Sequence, residues 1–297
     1  MNKFRNVGRD EPLTTEQSQY ILDRVVFAAR RELVGRRLLP IRKIDPSTQT
    51  FGYDTLTESS DAQIDVAWPG REALDNIGLG RTSVAIPTVH KEFIINKLDL
   101  AASRLSGTPL NTVTAESAGY KVGLEEDKLL ILGYSRDGTN YDINGLYNAA
   151  ANSESTSNTW SSAPEHATTG ICASINDAIS ELMTDNIFPP YNFTCNPAQY
   201  NQAAKFITST AVPYLTWIKE RIQGEIYVSA SITAGTAMIT KANPIGMFEY
   251  VVAEDFTVDT ETMSAREGSG LFGRVYARGL PVVYDTNAIC KMTVLGG

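Results

Sequence analysis

Apolar residues recur at a helical spacing early in the chain. Ile21, Leu22, Val25, Val26, Ala29, Leu33 and Val34 line one face of a helix that starts near Thr14. Thr14 is placed to cap it, Gln17 to complete a capping box and Leu13 to begin a hydrophobic staple. Gly35 is placed to end it in the left-handed conformation. A longer pattern over 112–132 puts Ala115, Ala118, Val122, Leu129 and Leu132 on one stripe. Gly119 and Gly123 each cost roughly 1 kcal/mol relative to alanine in a helix interior, which suits either close packing by another element or simply an imperfect helix. The pattern stops at Gly133. A third helix is expected over 171–186, with Ile171, Ile175, Ile179, Leu182 and Met183 on one face. Shorter helices follow Asn196-Pro197 and Pro213, the latter ending at Gly224.

Elsewhere the period falls to two. Alternating or β-branched runs at 82–87, 191–195, 225–232, 236–241, 247–252, 256–260, 273–278 and 281–287 predict strands, so the last third of the chain is mainly β. Residues 93–104 suit a helix or an extended segment. Residues 45–80 are punctuated by Asp45-Pro46, Gly52, Pro69-Gly70, Gly78 and Gly80, with strand-like pieces between them, and predict an extended hairpin. Alone, such a hairpin buries too little apolar surface to be stable. It is expected to lie against another chain through Phe51, Tyr53, Ile64, Val66 and Trp68. The polar stretch 149–162 reads as a mobile loop. The order of elements predicts an α+β chain of two intertwined lobes.

Composition and charge narrow the function. Of 297 residues, 42% are hydrophobic and 20% charged, as in an ordinary globular protein large enough to bury a substantial core. No apolar run reaches the roughly 18–20 residues needed to span a bilayer, and the N-terminus lacks a signal-peptide core. Three widely spaced cysteines, Cys172, Cys195 and Cys290, have neither metal nor redox spacing. The net charge of −8 is unevenly spread. Residues 1–43 hold ten Lys/Arg and five Asp/Glu, a balance of +5, which leaves 16 basic and 29 acidic groups, a balance of −13, for the rest. Such asymmetry suits either a solvated helix face or a surface that meets a polyanion.

Chemistry is sparse. The two histidines, His90 and His166, have no acid and nucleophile arranged around them in sequence, so no catalytic residues are expected. No HExxH or CxxC is present, and no metal site or cofactor is expected. Glu125-Glu126-Asp127 reads as a solvated acidic face, because consecutive acids fan out around a helix. The one GxGxxG, Gly268 to Gly273, precedes an alternating run and suits a hairpin turn better than a dinucleotide loop. The tryptophans and tyrosines are scattered rather than interleaved with basic residues, which favours packing over base stacking.

Several segments together resemble one family. Glu11-Pro12-Leu13-Thr14-Thr15-Glu16-Gln17 followed by Leu33-Val34-Gly35-Arg36-Arg37 is similar to the N-terminal helix and basic turn of encapsulins. The long helix ending Glu125-Glu126-Asp127-Lys128-Leu129-Leu130-Ile131-Leu132-Gly133 resembles the spine helix of that family, and Ile143-Asn144-Gly145-Leu146 its step into the axial domain. The resemblance implies the Hong Kong 97-like capsid fold shared by encapsulins and tailed-virus major capsid proteins. It implies an N-terminal arm and lumen-facing helix over 1–44, an extended loop over 45–81, a peripheral domain over 82–142 and 236–297, and an axial domain over 143–235. It further implies a shell subunit that is no enzyme and partners itself in an icosahedral homo-oligomer. Arg24, Arg30, Arg31, Arg36, Arg37, Arg42 and Lys43 would face the lumen. Ile207, Thr208, Ser209, Thr210, Ala211 and Val212 would point to a symmetry axis. Leu105-Ser106-Gly107-Thr108-Pro109-Leu110 is more similar to virus-borne relatives, so the expected setting is a virion assembled in host cytoplasm around non-specifically bound DNA. A cytoplasmic nanocompartment holding a cargo enzyme is the alternative.

Overall fold

A computed structural model describes residues 15–29, 33–56, 78–96, 98–99, 105, 112–136, 142–155, 159–165, 170–208, 212–262, 270–293 and 295. Helix α1 (Thr15–Ala29) presents Ile21 and Val25 inward, leaving Phe27 exposed. Leu13 and Thr14 lie outside the described residues, as does the side chain of Gln17. The periodic run does not continue as one helix to Val34. Gly35 opens a second short helix, α2 (Gly35–Leu38), instead of closing the first. Strand β1 (Ile41–Lys43) follows, then β2 (Thr50–Leu56) and β3 (Leu79–Ala85). These last two pair antiparallel from Thr50↔Ala85 to Leu56↔Leu79, forming the base of the expected hairpin. Its residues 57–77 lie outside the described residues.

β4 (Thr88–Asn96) makes the start of the 93–104 segment a strand, while Leu98 and Asp99 are helical and 97 and 100–104 lie outside the described residues. Phe93 and Ile95 are buried while Ile94 faces out, a strand period. Helix α3 (Val113–Ile131) is the long strut, and after it Gly133 takes φ +102 to reverse the chain. β5 (Gly133–Tyr134) and β6 (Ile143–Asn144) pair across that reversal, leading into α4 (Leu146–Ala149). The stretch expected to be a loop contains instead β7 (Asn152–Ser155) and Trp160. The Trp160 ring is fully buried, with Nε1 donating to Ser174 Oγ at 3.3 Å. A single indole anchors this polar run, which composition alone does not reveal.

α5 (Ile171–Thr184), β8 (Tyr191–Cys195), α6 (Pro197–Ala203) and α7 (Tyr214–Ile222) follow. Asn196 caps α6 by accepting from Ala198 N at 3.0 Å, with Pro197 in the first turn. Gln223, not Gly224, takes the left-handed position after α7. β9 (Ile226–Val228), β10 (Ala237–Lys241), β11 (Phe248–Thr262), β12 (Gly270–Val283) and β13 (Ile289–Thr293) complete the chain. The four runs expected between 247 and 287 merge into two long strands, with register shifts between Val252 and Thr257. Pro281 is tolerated in β12 because β4 pairs only as far as Arg278, so that edge needs no donor there.

Two lobes result. One is a four-stranded sheet, β1-β11-β12-β4, covered by α3, on which α1 packs. Its core holds Ile21, Val25, Phe93, Ala118, Val122 and Val275, among others. Gly119 is the crossing point: a Cβ there would lie 2.8 Å from Val25 O. The other lobe is a five-stranded sheet, β7-β13-β10-β8-β9, with α4 to α7 around it. β10 and β13 belong to this second sheet, so the 236–297 segment, assigned by sequence to the peripheral part, contributes two central strands to the axial one.

Candidate assembly surfaces and the junction between the lobes

The C-terminal end of α3 runs into the second lobe. Leu130 and Ile131 are fully buried among Val34, Leu38, Leu39 and the core of the five-stranded sheet. Two acids accompany them, which corrects the reading of Glu125-Glu126-Asp127 as a solvated face. Glu125 is exposed, but Glu126 and Asp127 are 1% and 5% exposed. Their positions continue the apolar stripe of α3, so burial follows, and burial demands partners.

Arg36, from α2, supplies the partner for Glu126. Its Nη2 lies 2.8 Å from Glu126 Oε1, Nε is 3.1 Å from both carboxylate oxygens, and Nη1 donates to Asp255 at 2.8 Å. The guanidinium lies 4.6 Å over the Phe256 ring, and Tyr250 OH donates to Glu126. Burial opposes the guanidinium charge, but the hydrogen bonds and charge of Glu126, together with Tyr250 and Asp255, outweigh it and hold Arg36 above its ordinary value. Burial and the Glu126 carboxylate push the Tyr250 phenol well up.

Asp127 is divided between two directions. Oδ1 accepts from the backbone N–H groups of Val34 (2.9 Å) and Gly35 (2.6 Å), which open α2 without a side-chain cap of their own. Oδ2 accepts from Ser229 Oγ (3.0 Å) and Ser231 Oγ (2.7 Å), in the loop after β9.

The basic residues proposed for a lumen divide accordingly. Arg36 is an interior side chain committed to carboxylates of its own chain, so it is a structural member rather than an open contact. Arg42 pairs with Glu249 at 3.2 Å and lies over Phe51. Arg24 is half exposed over Tyr20, 4.0 Å from Glu116. Arg37 and Lys43 are exposed, Arg37 lying over the Tyr227 ring at 5.0 Å. Arg30 and Arg31 lie outside the described residues.

The hairpin is anchored at its base by its own chain. Phe51 and Tyr53 pack beside Val251, Leu280 and Val282, and Tyr53 meets Tyr284 edge-on at 5.4 Å. Ile64, Val66 and Trp68 lie outside the described residues. At the proposed axis loop, Phe206 and Pro213 bridge, Ile207 N donates to Val212 O at 2.9 Å, and Thr208 N donates to Glu165 at 2.6 Å. The Thr208 hydrogen bonds hold the Glu165 carboxyl below its usual range. Phe206 is largely exposed beside this loop, while Ser209, Thr210 and Ala211 lie outside the described residues.

His166 lies outside the described residues. His90 stands exposed on β4, and burial pushes the Cys195 and Cys290 thiols up to about 12. Among the described residues no group of three His, Cys, Asp or Glu side chains gathers to hold a metal, and no helix is long and apolar enough to cross a membrane.

A long strut helix joining a four-stranded sheet to a five-stranded lobe, with β2 and β3 paired beside the first, is the Hong Kong 97-like capsid fold. The chain belongs to the family described as encapsulating protein for peroxidase, matched over residues 5–267. It is 24% identical over 291 residues to the type 1 encapsulin shell protein EncA of Myxococcus xanthus, covering 97% of this chain and 96% of that one. Among solved structures, a virus-like particle from Pyrococcus furiosus superposes with a TM-score of 0.66 at 18% identity, covering 93% of this chain and 99% of that one. The capsid of Myoviridae phage XM1 gives 0.65 at 14% identity, covering 86% and 89%.

Proposed function

We propose that the chain is the major capsid protein of a tailed virus, closing an icosahedral shell around double-stranded DNA. The observation that carries the shell itself is the hairpin: β2 and β3 close its base on their own chain, and the sequence between them, 57–77, is long and polar and keeps the strand-like run 62–68. The virus-borne character of Leu105 to Leu110 supports the finer reading. So does the likeness to a phage capsid, whose TM-score of 0.65 is close to the 0.66 of the Pyrococcus furiosus particle. The exposed Arg37 and Lys43, with Arg30 and Arg31, would give the non-specific, salt-sensitive phosphate contacts that packaged DNA needs.

A second reading has its own support. The relative matched along nearly the whole chain is an encapsulin, which favours a nanocompartment around a cargo enzyme. Particles purified from the native source and treated with nuclease separate the two. Protected double-stranded DNA supports the viral reading; a stoichiometric enclosed enzyme without DNA overturns it in favour of the nanocompartment.

A further inference from the structure

We propose that Asp127 sets the angle between the two lobes, and through it the curvature at which subunits join. The proposal rests on the shell-forming function. The apolar packing across the junction, Leu130 and Ile131 against Val34, Leu38 and Leu39, is non-directional and tolerates small rotations. Hydrogen bonds of 2.6–3.0 Å are directional, and Asp127 makes four of them.

Their arrangement divides the two carboxylate oxygens of the strut helix between α2 and the loop after β9. Oδ1 holds the start of α2, which sits at the junction: Leu38 and Leu39 pack in the core shared with the five-stranded sheet, while the chain runs on into β1, beside β11 of the four-stranded sheet. Oδ2 holds Ser229 and Ser231, and their loop is fastened to the five-stranded sheet. Ser229 N donates to Cys195 O at 3.0 Å, and Asn196 Nδ2 donates to Ile232 O at 2.7 Å. Rotation of either sheet about the end of α3 therefore lengthens one pair of bonds and leaves a buried carboxylate oxygen short of donors. Copies of one subunit close into a shell only if each joins its neighbour at the right rotation; an error repeated at every contact gives open or tubular assemblies.

The serines allow a test that spares the α2 contacts. Cryo-electron microscopy of shells from the wild type, Ser229→Ala/Ser231→Ala and Asp127→Asn is set beside thermal melting of the subunits. The double serine variant is expected to melt as a folded subunit while the fraction of open, oversized or tubular particles rises several-fold. Asp127→Asn is expected to show a smaller rise, because its oxygen can still cap α2 while the serine hydroxyls turn to accept from its amide. Uniform shells of wild-type diameter from both variants would overturn this proposal alone. Failure of both variants to fold would also overturn it, since the contact would then belong to folding and not to an angle. Absence of shells from the wild-type chain would overturn the shell-forming function and this proposal together.

Discussion

Arg36 and Glu126 lie ninety residues apart in the chain and 2.8 Å apart in the fold. They tie the segment after α1 to the strut helix at the point where both enter the second lobe. Removing one partner leaves the other charge buried without compensation. Arg36→Ala is expected to lower stability by about 3 kcal/mol, measured by denaturant unfolding of the subunit. Arg36→Lys should recover only part, because an ammonium cannot reproduce the fork that reaches Glu126 and Asp255 together. A loss below about 1 kcal/mol for Arg36→Ala would place the pair among surface contacts.

The α1–α3 crossing depends on the missing side chain at Gly119. Gly119→Ala adds a Cβ 2.8 Å from Val25 O, so the helices must separate. The gain in helix propensity, roughly 1 kcal/mol, is smaller than the overpacking cost, and a net destabilisation of about 1–2 kcal/mol is expected. A rise in melting temperature would show that α1 is not held this closely.

Glu154 on β7 gives a pH signature. Burial, with the charges of Asp177 and Glu181, raises its carboxyl above the ordinary 4.5. The folded state then holds the proton more tightly than the unfolded chain, so stability is greater below 4.5 and declines as pH rises from there through the raised value. Glu154→Gln should flatten that part of the stability profile and raise the melting temperature at neutral pH. Identical profiles for wild type and variant would remove Glu154 as the source.

The hairpin separates folding from assembly. Because Phe51 and Tyr53 pack on their own chain, replacing 57–77 by a short turn should leave a soluble subunit with unchanged melting. It should also abolish closed shells in electron micrographs. Normal shells from that deletion would remove the hairpin from the assembly mechanism.

Much of the architecture was legible from periodicity. Ile21 and Val25 mark the buried face of α1, and Ala115, Ala118 and Val122 that of α3. The junction was less legible. Glu126 continues the stripe of Ala115, Ala118 and Val122, and that spacing was the available signal that it is interior. Its charge argued the other way, and only a partner ninety residues distant reverses the balance. Ser229 and Ser231 carry no local signal at all, because their role arises from where the loop after β9 meets α3. Trp160 was hidden by the polar residues around it; the strand at 236–241 was legible as β10 but its sheet was not, because it lies in sequence beside strands of the other sheet, and β13 fell outside every expected run.

Self-assembly is the central claim, and light scattering coupled to size-exclusion chromatography tests it most directly. The purified full-length chain is predicted to elute as uniform particles many times the 32.4 kDa of one subunit, seen as closed shells in the same fractions by electron microscopy. A stable 32.4 kDa monomer at every salt and protein concentration would contradict it.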